Sequence, residues 1–210
     1  MRINAESGAF VVEDAAVAAD RRRSIRAYAQ DEIPEEELRE LLRLTGRAPS
    51  AFNVQPWRFI VVRDAELKAK LAEAANNQQQ VVRAPATIVM YSDMQSALER
   101  LPEAMHPDMP AAGREAGVQR FRTSFQTKSV AEREEWGVNQ SNIALGYLLL
   151  LAESMGLATS PMLGFDAEKV KALLGLPAHT RIPAIVSIGH AAEEGFRPHR
   201  LPADSLVEFR

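Results

Sequence analysis

The sequence predicts an α+β layer fold in one domain spanning residues 1–210. Three apolar runs of strand length point to a sheet: RFIVVR (Arg58–Arg63), ATIVMYS (Ala86–Ser92) and RIPAIVSIG (Arg181–Gly189). Helical patterns of unequal length lie between them without regular βαβ alternation, which argues against a doubly wound sheet. The length and the 46% hydrophobic content suit one sizeable core.

Taken in order, Glu13–Arg22 reads as a first helix, with Ala16, Val17 and Ala19 on an apolar side. Pro34 opens a second, EEELRELLRLTG, whose Leu38, Leu41, Leu42 and Thr45 follow helical spacing. Its acidic first turn and the glycine at Gly46 agree with dipole and C-cap preferences. The loop RAPSAFNVQPW leads into the first strand, and Asp64 can cap the helix AELKAKLAEAA. After the second strand, residues 94–126 read as helical pieces broken by Pro102, Pro107, Pro110 and Gly113. A long helix, about Val130 to Met155, is apolar nearly all round in its second half and is expected at the centre. LATSPM is a short strand or extended turn, Asp166–Gly175 a short helix capped by Asp166, and Arg181–Gly189 a buried strand. The tail FRPHRLPADSLVEFR has little core of its own and is expected on another surface.

A formal net charge of −3 argues against a protein that coats nucleic acid, so any anion binding must be local. No cysteine is present, which removes disulfides, thiolate metal sites and cysteine nucleophiles and fits a cytoplasmic protein. The N-terminal MRINAESGAFVVEDAA carries acids where a signal peptide needs a basic head, and IALGYLLLLA is too short to span a bilayer. Neither GxGxxG nor GxxxxGK[ST], GxSxG nor HExxH occurs. His106, His179, His190 and His199 show no metal-ligand spacing and read as surface or loop residues. Side chains that act as reagents are missing, which leaves cofactor chemistry as the natural expectation for an enzyme.

Four stretches remain. DRRRSIRAY (Asp20–Tyr28) packs four guanidiniums into six residues. If the chain runs extended there, Arg22, Ser24 and Arg26 share one side and suit a phosphate monoester; the alternative is a basic helix end complementing the dipole. APSAFNVQPW (Ala48–Trp57) is an irregular loop whose free amides match the edge of a heterocycle, or else a turn feeding a strand with Trp57 in the core. SPMLGFD (Ser160–Asp166) exposes backbone before a helix, and RPHRLP near the C-terminus offers Arg197 and Arg200.

In their order and spacing, RRRSIRAY, APSAFNVQPWRFIVV, WGVNQSNIALGYLLLLAESMGLATSPMLGFD, PAIVSIGH and RPHRLP resemble the nitroreductase family of flavin enzymes, from about residue 14 to the tail. The resemblance implies a three-layer fold with a central, mostly antiparallel sheet and an intertwined homodimer. It also implies a variable lid at about 101–128 and an exchanged arm at about 195–210. It implies FMN bound at the dimer interface, with ping-pong hydride transfer from NAD(P)H through flavin N5 to a nitroaromatic, quinone or similar acceptor. Specialised relatives of the same fold are the alternatives: a dehalogenase, an enone or aldehyde reductase, or a flavin-consuming enzyme. So is a non-catalytic flavin-binding protein. FMN rather than FAD also fits the missing glycine-rich turn that a pyrophosphate usually needs.

Carried over residue by residue, Arg22 and Arg200 resemble the phosphate clamp, with Ser24 beside them. Arg26 falls near flavin N1 and the C2 carbonyl, Arg23 contributes backbone, and Arg21 is left as a solvated bystander. Pro49, Ser50, Ala51 and Asn53 match residues that reach the flavin held mainly by the partner. Asn77 matches an amide at the ring edge, Gln80 replaces a lysine of some relatives, and Gln140 stands beside the ring. Pro161, Leu163 and Gly164 resemble the segment under N5, with the Gly164 N–H as donor and Leu163 where some relatives carry glutamate. A second basic residue of some relatives falls on Pro198, for which Arg197 can compensate. Phe52 lines the slot mouth. Phe121, Arg122 and Phe125 face the slot, or else the phenylalanines fill the core and Arg122 is solvated. No metal is expected.

Overall fold

A computed structural model describes residues 13–210. Residues 1–12, most of the N-terminal stretch MRINAESGAFVVEDAA discussed above, lie outside them. Among the described residues no helix is long and apolar enough to cross a membrane.

The sheet has four strands: β1 (Trp57–Val62), β2 (Ala86–Ser92), β3 (Ala158–Met162) and β4 (Arg181–Gly189), in spatial order β1-β2-β4-β3. Every pairing is antiparallel. Strand periodicity of two then sends alternate residues to opposite layers. Ala86 and Ile88 of β2, with Ala184, Val186 and Ile188 of β4, meet α2 (Glu35–Thr45) and α8 (Val130–Ser154) through Leu38, Leu41, Leu148 and Ala152. Val89 and Ile185 point the other way, to α3 (Ala65–Ala74), α4 (Gln79–Arg83) and α9 (Ala167–Leu174), where Leu71, Val81 and Val170 wait. Both faces are covered, which is why β2 and β4 read as continuous apolar runs rather than alternating ones.

Local chemistry sets the helix ends. Asp14 caps α1 (Ala15–Arg21) by accepting from the Ala16 N–H, Asp64 caps α3 by accepting from Leu67, and Asp166 accepts from Glu168 and Lys169 at the start of α9. Ser129 and Glu132 form a reciprocal capping box at the start of α8. Gly175 ends α9 in the left-handed region, with φ 64°.

The segment read as broken helices folds as α5 (Met94–Glu99), α6 (Leu101–Ala104) and α7 (Ala111–Phe125). Pro102 sits in the first turn of α6 and Pro110 just before α7, where proline is tolerated. Gly113 does not break the chain as expected: α7 runs through it, because Val118, Phe121 and Phe125 anchor the helix in a separate core with Met94, Leu101 and Trp136. The five-residue α4 was not anticipated; it is too short to show a helical period.

After α1 the chain runs extended along the free edge of β3. Ser24 bridges Thr159 in parallel, and the Ile25 N–H donates to the Thr159 carbonyl at 3.1 Å. Ile25 and Tyr28 are buried while Arg26 is exposed. The Tyr28 hydroxyl donates to the Ile25 carbonyl at 2.6 Å and lies 2.9 Å from Ser187 Oγ, pinning the run to β4.

Burial pushes the Tyr28 phenol up to about 12, from an ordinary 10.0. The neutral phenol is the form the fold prefers. Its contribution is therefore complete below pH 10.0 and is lost as pH climbs towards about 12, where the unfolded chain ionises first. A shift of that size is worth about 2–3 kcal/mol. Denaturant unfolding between pH 9.5 and 11.5 should show a steeper loss of stability in the wild type than in Tyr28→Phe; equal slopes would show that the phenol is not responsible.

Candidate cofactor site

The extended run puts Arg22, Ser24 and Arg26 on one side, opposite Arg23 and Ile25, as expected of a strand. Arg22 is the unusual one. Its Nε and Nη2 are buried with no hydrogen-bond partner. Burial pulls its pKa down; Glu153 opposes this, and the positive charge of Arg200 adds to it. Arg200 thus lies close enough for its charge to be felt, although the two residues are at opposite ends of the chain. A buried guanidinium with idle donors beside a second cation is costly unless an anion joins them.

The neighbouring arginines differ. Arg21 was expected to be solvated, but its Nε donates to Glu153 at 2.7 Å and it pairs with Glu13 at 2.9 Å, tying α1 to the end of α8. Arg23 donates to the Arg21 carbonyl and, with Arg197, lines a cavity of about 460 Å³. The backbone N–H groups of Arg26 and Ala27 are taken by the Glu193 carboxylate at 2.6 and 3.1 Å, a partner that sequence reading did not suggest.

The loop before β1 is held in an uncommon shape. Phe52, Asn53 and Gln55 have φ of 54°, 54° and 45°. Such values are least expected of a bulky phenylalanine and cost on the order of 1–3 kcal/mol each. Other contacts hold the loop there. The Ala51 N–H donates to Gln140 Oε1 at 2.9 Å, the Gln55 N–H to Ser50 Oγ at 3.1 Å, and Asn53 Nδ2 to the Ala104 carbonyl at 2.8 Å. Ala51 and Gln140, assigned separately to the site, therefore meet across 89 residues of sequence. Pro49 precedes this network on the same loop.

Among the described residues, the remaining non-glycine residues with positive φ are Asn76 and Asn77, at 54° and 55°. They end α3 beside the turn after β3. Gln78 Nε2 donates to the Gly164 carbonyl at 2.9 Å, and a Cβ on Gly164 would stand 3.3 Å from Asn76 Nδ2. Asn76 and Gln78, the residues on either side of Asn77, thus meet Gly164. Gln78 was missed; a run of amides, NNQQQ, was its only signal. Gln80 is buried to 9% exposure, its amide donating to Gln78 Oε1 and Met162 Sδ, so it braces this corner rather than projecting from it. Leu163, beyond Pro161 at the end of β3, is 77% exposed.

Of the readings left open for Phe121, Arg122 and Phe125, the burial and contacts favour core for the rings and solvent for the arginine. Phe121 and Phe125 are 2% and 4% exposed and belong to the core beneath α5–α7, because their helical spacing points them at Trp136 and Leu101. Only Phe52 reaches outward from this aromatic group, 47% exposed with its ring 4.8 Å from Phe121. Arg122 is exposed and donates to the Leu98 carbonyl.

His179 lies in the turn before β4, within its surface-or-loop reading, but is part-buried. Its Nε2 lies 3.1 Å from Asp93 Oδ1, and with Glu134 the three offer ligand atoms within 4.8 Å of one another. Their distance in sequence hid this. Both Glu134 oxygens already accept, from Met94 N–H and Ser92 Oγ, and Asp93 caps α5. The group therefore reads as a buried junction.

The assigned residues fall at opposite edges of one sheet: the 50–56 loop at β1 and the arginine run outside β3. Four strand spacings separate them, roughly 19 Å.

The nitroreductase family model matches residues 19–190. A Thermus thermophilus protein named NADH dehydrogenase is 50% identical over 199 residues, which are 95% of this chain and 97% of its own. YdgI of Bacillus subtilis, an NAD(P)H nitroreductase by name, is 34% identical across 90% of this chain and 94% of its own. Among solved structures, the FMN complex of a protein described as a nitroreductase from Exiguobacterium sibiricum matches with a TM-score of 0.86 at 27% identity, covering 95% of this chain and 99% of that one. The arginine with idle nitrogens, the strained loop and the layered antiparallel sheet sit in a chain that belongs to the nitroreductase family.

Proposed function

We propose that this chain is an FMN-dependent oxidoreductase that accepts hydride from NAD(P)H and passes it to a nitroaromatic, quinone or similarly electron-poor acceptor. The observation that carries this reading is Arg22: a buried guanidinium with two idle nitrogens, repelled by Arg200, is suited to a phosphate monoester. The residues fit the cofactor. When bound, FMN supplies the hydride-carrying centre that no side chain of this protein provides.

The protein's part is binding, orientation and exclusion of water. Arg22 and Arg200 hold the phosphate, with the Ser24 hydroxyl between arginine side chains of one strand face. Arg26 places positive charge by the ring, and Asn77 offers an amide at its edge. Gln78 holds the Gly164 carbonyl, and with it the Gly164–Phe165 peptide that follows the Gly164 N–H. The Ala51–Gln140 bond holds the loop that carries Phe52 at the mouth. Preformed positions of this kind favour transfer by lowering the reorganisation needed when donor and acceptor take turns in one slot.

A homodimer is part of the proposal. The separation of the two residue groups across the sheet supports a site completed by the loop of a second copy. Ile143 and Tyr147 are 41% and 40% exposed on α8, and Phe196, Leu201 and Phe209 of the tail are 90%, 65% and 94% exposed, an apolar surface suited to an exchanged arm.

Purified protein should be yellow, elute as a dimer, release FMN rather than FAD on heating, and turn over NAD(P)H with a quinone. Colourless protein that cannot be reconstituted with FMN would overturn the proposal.

A further inference from the structure

A cavity of about 340 Å³ is walled by Val54 and Gln55 of the strained loop, Trp57 and Arg58 of β1, Arg100 between α5 and α6, and Glu103 of α6. Its size is at the lower end of the range usual for small-molecule sites. Arg58 is half-buried, and its guanidinium donates to the Gln55 and Trp57 carbonyls at 3.0 and 2.8 Å and to Ser96 Oγ at 3.2 Å. All three acceptors are neutral. Burial, and then the nearby charge of Arg100, pull the Arg58 pKa down, while Asp93 offsets part of this. Arg100 meets Glu103 only at 3.4 Å, with both side chains more than half exposed. So loose a surface pair yields readily to a better-placed anion.

Fastening the loop explains the three bonds of Arg58. It does not explain why a second arginine faces the same cavity; Val54 and Trp57 on its wall are accounted for as core residues. Gln55 on its wall is three residues from Phe52, so the Cα atoms of the two lie no more than about 11 Å apart. The geometry points to an anion subsite in which Arg58 and Arg100 receive a phosphate or carboxylate of a ligand whose reacting end lies beyond Phe52. This rests on the function proposed above and adds to it a place where the charged group of the donor or of the acceptor is held. The two sources share one chemistry, a compact oxyanion held by two guanidinium forks.

The test is Arg100→Ala in the FMN-loaded protein, with exposed Arg39→Ala on α2 as control. On the donor side, KM for NADH and for NADPH is compared with KM for the neutral N-benzyl dihydronicotinamide. On the acceptor side, para-nitrobenzoate is compared with para-nitrobenzamide. Arg100→Ala is expected to raise the charged-to-neutral KM ratio about 5- to 10-fold on one side, as loss of one charged contact near the surface would. A rise on the donor side assigns the cavity to the dinucleotide phosphates, and a rise on the acceptor side to a carboxylate. Unchanged ratios on both sides, with FMN bound, overturn the subsite alone. Wild-type protein that holds no FMN overturns the function and this inference together.

Discussion

Replacing Arg22 and Arg200 together by alanine is expected to weaken FMN binding by at least about 100-fold, from the loss of two charge-assisted contacts of roughly 1.5–3 kcal/mol each. The opposite is expected of the protein without flavin. There Arg22 keeps buried, idle donors and feels the charge of Arg200, so both guanidiniums work against the fold. Arg22→Met, which fills similar space without charge, should raise the melting temperature of the flavin-free protein while lowering flavin affinity. Arg21→Ala should reverse the pattern, weakening the tie to Glu153 and the end of α8 with little change in flavin affinity. Equal effects of Arg21 and Arg22 on FMN binding would show that the phosphate clamp is misplaced.

Gly189→Ala is expected to destabilise the fold by about 3 kcal/mol, and to lower the melting temperature by about 6–12 °C. A Cβ there would stand 2.6 and 2.8 Å from the Pro85 ring and 2.9 Å from the Tyr28 ring. Neither neighbour can yield cheaply. Proline has no free rotamer, and Tyr28 is pinned through its hydroxyl to Ile25 and Ser187. Relief would pull the extended arginine run away from β4, so flavin affinity should fall with stability. Gly113→Ala is the control, since its nearest neighbour is the flexible end of Met109 at 3.9 Å. Wild-type melting of Gly189→Ala would refute this close packing.

Local patterns carried most of the fold. Asp64, Asp166 and the apolar runs of β1, β2 and β4 announce their elements because caps and strand periods act over a few residues. What required tertiary contact was not legible. Gly113 signals a break that distant packing of Phe121 and Phe125 overrides. The same packing buries those rings, while the sequence alone left slot and core equally open. Asp93, Glu134 and His179 meet only because α5, α8 and the approach to β4 converge. The site divides in the same way. The Arg22 side of the strand followed from alternation, whereas Gln78 and Glu193 bind backbone atoms, which no side-chain motif can encode.

The most direct measurement is anaerobic titration of the purified, flavin-bound protein with NADH and with NADPH, followed by the visible flavin absorbance. Stoichiometric bleaching by at least one nicotinamide, reversed on adding a quinone, is the expected result. Flavin that stays oxidised with both would contradict the oxidoreductase account.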